Sequence, residues 1–298
     1  MSLSPRQIDI QVSTMRRSGV KEGDLAVLAG FGNRWFVNAS VSASGDGKTW
    51  DAAFKTVLEA INSAGTNDFI YIAPGSYSIT ATLSLVTAGV KMIGSGGMFS
   101  ETTLITGAVD LLDIDASNVE VAGIAFEGTT NAKNCINLAD TVLAKNCHIH
   151  DCMLIGGGSG KAEYGIWQDA TQDSENLIVE NCSFKGFDTT ALQVNATNAT
   201  IQNNHITTIA GAIGIEHVPT TGARPGAKYI DNVIMGVAST DTGIKITGTP
   251  TAGTYSMIRN MVLNCNTPVT SKAGNDAISA LCYVGDASGG ALMNPSSA

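Results

Sequence analysis

The chain has 298 residues, of which 44% are apolar and only 14% charged, with 33 glycines and a formal net charge of -9. A length and apolar share of this size support a large core, and the glycine-rich, weakly charged remainder fits tight turns bearing Ser, Thr and Asn rather than a disordered chain. An acidic chain lacks the clustered Lys and Arg that phosphate contacts need, and no run approaches the ~18 apolar residues of a membrane span, which argues against nucleic acid and membrane partners.

Residues 1–35 are polar, carry Arg16-Arg17 and hold one modest apolar stretch, Leu25-Ala-Val-Leu28. The first ten residues show no apolar signal core, so no export is expected. The segment reads either as a loosely ordered arm or as an attachment segment that docks on a partner. Residues 36–67 read as a cap. Trp50, Ala53, Phe54, Val57, Leu58 and Ile61 fall at helical spacing, with Thr49 placed as N-cap and Gly65 as the stop. This helix is expected to lie across the open end of the first coil, where bare backbone would otherwise invite edge pairing.

Residues 68–285 repeat. Asn118–Gly128, Asn146–Gly156, Asn176–Gly186, Asn198–Thr208, Gly226–Gly236 and Thr254–Asn264 follow one eleven-position template, recurring at intervals of roughly 22–30 residues, the range of solenoids. Template positions 2, 4, 7 and 9 are set inside. Position 4 reads Val121, Ile149, Val179, Ile201, Tyr229, Met257, and position 9 reads Phe126, Leu154, Phe184, Ile206, Ile234, Val262. This is the alternation of strands with one buried face, broken by a corner near positions 5 and 6.

Position 7 reads Ile124, Cys152, Cys182, Asn204, Asn232, Asn260. The three asparagines are expected to bond amide to amide along a ladder and to supply the left-handed backbone of the corner. Cys152 and Cys182 share this position on adjacent coils, within bridging distance, and read as two buried thiols. A third strand precedes each block: Leu111–Asp115, Cys135–Leu138, Gly165–Gln168, Ala191–Asn195, Ile213–Glu216 and Gly243–Ile246. Three short strands per coil, all running one way, make an all-β parallel β-helix with an N-terminal capping helix. Residues 286–298, small and polar, read as a tail.

Gly-Asp-Gly-Lys-Thr-Trp-Asp-Ala-Ala-Phe (45–54), Ile-Tyr-Ile-Ala-Pro-Gly-Ser-Tyr (70–77) and Val-Lys-Met-Ile-Gly-Ser-Gly (90–96) resemble the entry of pectin-lyase-like right-handed parallel β-helix proteins. The resemblance covers about residues 36–285. It implies a right-handed coil, and it leaves activity open, because the family holds polysaccharide lyases, glycoside hydrolases, epimerases and bacteriophage virion proteins.

In the enzymes of that family the substrate groove commonly runs along the face of the first strand of each coil. Here one outward column reads Asp113, Asn137, Trp167, Gln193, Lys245, and its neighbour includes Asp115, Asp169, Asn195 and Glu216. Carboxylates, amides and one Trp can stack on sugar rings and bond their hydroxyls. Asp169 and Glu216 are the catalytic candidates, and the others are candidates for carbohydrate contact. The Asn-Thr-Asp, Asp-Asp and Gly-His-Gly motifs of polygalacturonase-like hydrolases do not occur. Beyond residue 34 the only arginines are Arg224 and Arg259, off that strand.

His148 and His150 alternate onto the outer face of another strand, with Glu180 at the His150 position one coil on. Two imidazoles and a carboxylate are a candidate transition-metal set, set against a plain polar rung. Gly156-Gly-Gly-Ser-Gly-Lys161 misses the phosphate-loop pattern at both ends and reads as a loop between coils.

Together these features point to a non-enzymatic structural protein of a bacteriophage virion. It is expected to dock on other virion proteins through residues 1–35, to form a homo-oligomer, a trimer by preference, to need no cofactor and to reside in the virion. A polysaccharide lyase or glycoside hydrolase and a module binding surface glycans are the alternatives.

Overall fold

The computed structural model describes residues 32–95, 103–138, 143–168, 171–218, 226–238, 240–247, 254–271, 276–280, 283–286 and 289–292. Three sheets run the length of the molecule, and each coil of chain contributes one strand to each. The first sheet has ten strands, from Arg34–Val37 to Asp276–Ala280. The second runs from Gly75–Ile79 to Gly289–Leu292, and the third, of eight strands, from Leu83–Leu85 to Thr267–Ser271. Pairing is parallel throughout except at the last strand of the second sheet, where Tyr283–Asp286 meets Gly289–Leu292 antiparallel. The residues set aside as a tail therefore include a strand, which covers the edge that Tyr283–Asp286 would otherwise expose.

The repeat register holds in space. Val121, Ile149, Val179, Ile201, Tyr229 and Met257 stack in one buried column, as do Phe126, Leu154, Phe184, Ile206, Ile234 and Val262. A slip of one residue would turn every such column outward, so register and burial enforce one another.

The corner lies one residue earlier than the asparagine ladder. Gly123, Asp151, Asn181, Asn203, Asp231 and Arg259, at template position 6, all have positive φ, between 53° and 65°. Asn204, Asn232 and Asn260 at position 7 are not among the left-handed residues. A second left-handed column stands at position 1, where Asn118, Asn146, Asn176 and Asn198 have φ of 55° to 62°. Their exposed amides form a ladder of their own, with Asn176 Nδ2 donating to Asn146 Oδ1 at 2.9 Å and Asn146 Nδ2 to Asn118 Oδ1 at 3.1 Å. The sequence reading assigned no role to these four. Asparagine suits both columns because its short amide tolerates left-handed backbone and can bond its copy one coil away.

The buried ladder at position 7 forms as expected. Asn204 Nδ2 donates to Asn232 Oδ1 at 3.0 Å, and Asn232 Nδ2 to Asn260 Oδ1 at 2.9 Å. Each amide also reaches the carbonyl at position 4 of the preceding coil: Asn204 to Val179 O, Asn232 to Ile201 O, Asn260 to Tyr229 O. Cys152 and Cys182 continue the column with weak thiol donors, Cys152 Sγ lying 3.7 Å from Val121 O and Cys182 Sγ 3.8 Å from Ile149 O. Both are free thiols and fully buried. Burial, with Cys152 alongside, pushes the Cys182 thiol well above its ordinary pKa, so neither the access nor the thiolate that exchange needs is at hand.

The cap differs from expectation. The helix is Val57–Ser63, with Thr56 as N-cap, and not a helix begun at Trp50 behind Thr49. Thr56 and Glu59 form a capping box: Glu59 N donates to Thr56 Oγ1 at 3.3 Å and Thr56 N to a Glu59 carboxylate oxygen at 3.0 Å. Residues 45–54 run as turns along the outer edge of strand Arg34–Val37, with Phe54 N bonded to Phe36 O and Asn38 N to Phe54 O, both at 2.8 Å. An uncovered strand edge must be paired or blocked, and that demand overrides the helical spacing of Trp50, Ala53 and Phe54. Val57, Ala60 and Ile61 face the core. The first strand begins at Arg34, inside the segment assigned to the arm. The rest of that arm, residues 1–31, lies outside the described residues. Thr56→Ala should lower stability by about 1 kcal/mol, read as a shift in the urea midpoint, since it removes one arm of the box.

Candidate functional site

The third sheet holds the face proposed from the sequence. Its strands bury alternate residues, with Leu112, Ile136, Ile166, Leu192, Ile215 and Ile244 turned inward. Pairing fixes which residues share the outward column: Asp113 opposite Asn137, Asn137 opposite Trp167, Gln193 opposite Glu216, and Glu216 opposite Lys245. Glu216 thus belongs to the first column and not to its neighbour. Ile213 aligns with Thr190, which sets Glu216 opposite Gln193, two positions before Asn195. That alignment turns His217 inward, where its Nδ1 meets the Tyr229 hydroxyl at 2.8 Å in the core.

Asp113 with Asn137 and Glu216 with Lys245 are bonded within this column. Asn137 Nδ2 donates to Asp113 Oδ1 at 2.7 Å, and Asn137 Oδ1 accepts from Asn134 Nδ2 at 2.8 Å. Lys245 Nζ lies 2.8 Å from Glu216 Oε1. Gln193 Nε2 donates to Gln168 O at 3.1 Å. Glu216 is 8% exposed. Trp167 is half-buried beside these groups, and Asp115 is half-buried beyond the end of its strand.

The neighbouring column does not form. Asn195 is fully buried: its N–H donates to Gln168 Oε1 at 2.7 Å and its Nδ2 to Gln172 O at 2.8 Å. It is a structural clamp, closed to a sugar. Asp169, the other catalytic candidate, lies outside the described residues.

The first sheet carries the histidines. His148 and His150 share its outer face, their ring centroids 4.2 Å apart. Glu120 stands opposite His148 on the preceding coil and Glu180 opposite His150 on the next. The bonds run diagonally: His148 Nε2 to Glu180 Oε1 at 2.9 Å, and His150 Nε2 to Glu120 Oε1 at 3.3 Å. His150 Nδ1 meets Asp151 Oδ2 at 2.7 Å, Lys91 pairs with Glu120, and Gln202 Nε2 donates to Glu180 Oε2 at 2.5 Å. Burial opposes the charged ring of His150, but the bonds to Asp151 and Glu120 outweigh it and raise its pKa. Burial likewise pushes Glu120 up, and the bonds from Lys91 and His150 more than cancel it, leaving the carboxyl below its ordinary value. The Gln202 bond, with His148 behind it, holds Glu180 low. Among the described residues no three His, Cys, Asp or Glu side chains are grouped so that they could hold a metal ion, His148, His150 and Glu180 included.

A chain that winds three parallel sheets around one apolar axis, closed at its start by a helix, is a right-handed parallel β-helix. No family model and no curated protein matches the sequence. Among solved structures it is similar to a pectin methylesterase mutant in complex with a hexasaccharide, at TM-score 0.60 and 12% identity over 84% of this chain and 89% of that one. It is also similar to the rice weevil pectin methyl esterase, at 0.56 and 10% over 95% and 96%. A third likeness is to the catalytic unit of the thermostable α-1,3-glucanase of Streptomyces thermodiastaticus, at 0.55 and 15%, covering 84% of this chain but 47% of that one. These likenesses establish the fold, which many activities share.

Proposed function

We propose that this chain is a non-enzymatic structural β-helix of a bacteriophage virion, docking on other virion proteins through residues 1–35 and assembling as a homo-oligomer, by preference a trimer. The observation that carries the non-enzymatic part is the state of Glu216. It is nearly buried and held by Lys245 at 2.8 Å, within a column whose amides and carboxylates bond from coil to coil. A general acid or nucleophile must meet its substrate, and a groove must offer bonding groups to the polymer. Here those groups serve cohesion between coils, the property a particle component needs. The virion assignment draws on the likeness of the entry segment to a family that includes such proteins. Among the described residues no helix is long and apolar enough to cross a membrane.

Three experiments test this. Incubation with a polysaccharide panel should release neither unsaturated nor reducing ends, and release that Glu216→Gln abolishes would overturn the reading in favour of a lyase or hydrolase. Mass spectrometry of purified phage particles should find the chain in several copies. Deleting residues 1–31 should leave a folded protein that no longer joins the particle. Recovery of the deleted form in particles at full copy number would remove the arm from the argument.

A further inference from the structure

Of the two rings on the outer face of the first sheet, His150 has a carboxylate at each nitrogen. Asp151 Oδ2 lies 2.7 Å from its Nδ1 and Glu120 Oε1 3.3 Å from its Nε2. A carboxylate only accepts, and a neutral imidazole carries a single N–H. A neutral ring therefore turns its bare lone pair on one of the two acids, and only the imidazolium donates to both. The surroundings favour that charge. Ala122 stands directly opposite on the preceding coil, so Glu120 reaches the ring diagonally, and Glu180 stands opposite on the next. Lys91 pairs with Glu120, and the neutral Gln202 amide bonds Glu180. Three carboxylates thus surround the ring against one ammonium. His148, its ring 4.2 Å away, is bonded at Nε2 to Glu180 Oε1 at 2.9 Å, which takes one ring proton.

We propose that His150 is held as the imidazolium and works as a pH-sensitive staple, tying its coil to the preceding one through Glu120 and to its own corner through Asp151, and releasing when the ring loses its proton. Burial opposes the charge, but the bonds to Asp151 and Glu120 outweigh it and raise the pKa above its ordinary 6.5. A group whose pKa folding raises stabilises the fold fully below its unfolded value, and that contribution is lost as pH climbs through the folded one. Glu120 and Glu180 are held below their ordinary 4.5, so their share is present above that value and is lost as pH falls through the folded ones. The cluster therefore holds the coils most firmly between about pH 4.5 and 6.5, and weakens on the alkaline side as His150 loses its proton. His148 with Glu180 carries the tie to the following coil, so three consecutive coils are joined. The proposal stands apart from the virion reading.

The experiment is long-range proton–nitrogen NMR of the full chain with labelled histidines, from about pH 5 to about pH 9, in which the ring nitrogen shifts report which nitrogens carry protons. One ring should keep both nitrogens protonated up to a midpoint above 6.5, and His150→Gln should lack that signal. Glu120→Gln should lower the midpoint. Asp151→Asn should lower it too, since it removes the charge with a residue that tolerates the positive φ of 54° at this corner. Urea unfolding reads the staple itself. The wild-type midpoint should fall between about pH 5.5 and about pH 8, and that of His150→Gln should fall less. If His150→Gln does not fold, the signal shifted in Asp151→Asn identifies the ring, and the urea comparison passes to that variant. A His150 midpoint at or below 6.5, a midpoint unmoved in both acid variants, or an equal loss in urea by wild type and variant would each overturn the proposal.

Discussion

Asn232→Ala is expected to destabilise the protein by about 3–5 kcal/mol, among the largest losses any single substitution can produce here. The Asn232 side chain is fully buried. It donates to Ile201 O at 2.9 Å and to Asn260 Oδ1 at 2.9 Å, and its Oδ1 accepts from Asn204 N at 3.1 Å and Asn204 Nδ2 at 3.0 Å. Truncation takes the side-chain acceptor from the Asn204 N–H and the side-chain donor from Ile201 O, and leaves the Asn204 amide with Val179 O alone and Asn260 Oδ1 with the Asn232 N–H alone. Stranding a buried polar group costs about 1–3 kcal/mol, far more than the net gain from forming one such bond. Asn198→Ala on the exposed ladder is the contrast. It removes one bond of 3.4 Å that water can replace, and its cost, about 1 kcal/mol, comes from placing alanine at positive φ. Urea unfolding of both variants measures the difference. Equal midpoints would mean that the interior ladder is not the cohesive element described here.

Phe184→Ala should cost about 3–5 kcal/mol by the same measurement. Its ring is fully buried and stacks between Leu154 and Ile206 in the second sheet. It also fills the space left across the core by Gly165, where an added Cβ would lie 2.8 Å from Phe184 Cδ1 and 2.4 Å from Ala191 O. The neighbouring coils are locked in register and cannot collapse into the hole without shifting whole strands. Met261→Ala, 40% exposed on the same sheet, should change stability by no more than about 0.5 kcal/mol. A loss below about 1 kcal/mol for Phe184→Ala would show that the coil interior repacks freely.

The coil was legible because its physics is local and repeated. Alternation within Asn176–Gly186, copied in five other blocks, leaves one way to bury Val179 and Phe184 together, and both are buried. The position-7 asparagines were legible for the same reason: a polar residue at an inward position must find a partner, and the nearest is its own copy on the next coil. The first stretch of the cap was not legible. Trp50, Ala53 and Phe54 have helical spacing, but the strand beside them needed an edge partner, a demand that exists only once Arg34–Val37 is in place.

The outer faces were the least legible part. Glu216 fell into the wrong column because the register of Ile213 with Thr190 cannot be read from one strand; that register also turns His217 inward to the Tyr229 hydroxyl at 2.8 Å. Asn195 looked like a sugar contact because its type is polar, whereas Gln168 and Gln172 hold it in the interior. The diagonal pairing of His148 with Glu180 and of His150 with Glu120 was also hidden, since it joins residues 32 and 30 positions apart.

By itself the sequence determined the winding, the inward columns and the polar composition of the outer faces, because period and residue type decide burial wherever every coil obeys the same rule. Only the tertiary structure decided which polar side chains pair from coil to coil, where the left-handed corners fall and what covers the first edge. Those outcomes depend on loops of unequal length that set which residues meet between successive strands, and alternation within a single strand carries no information about its neighbours.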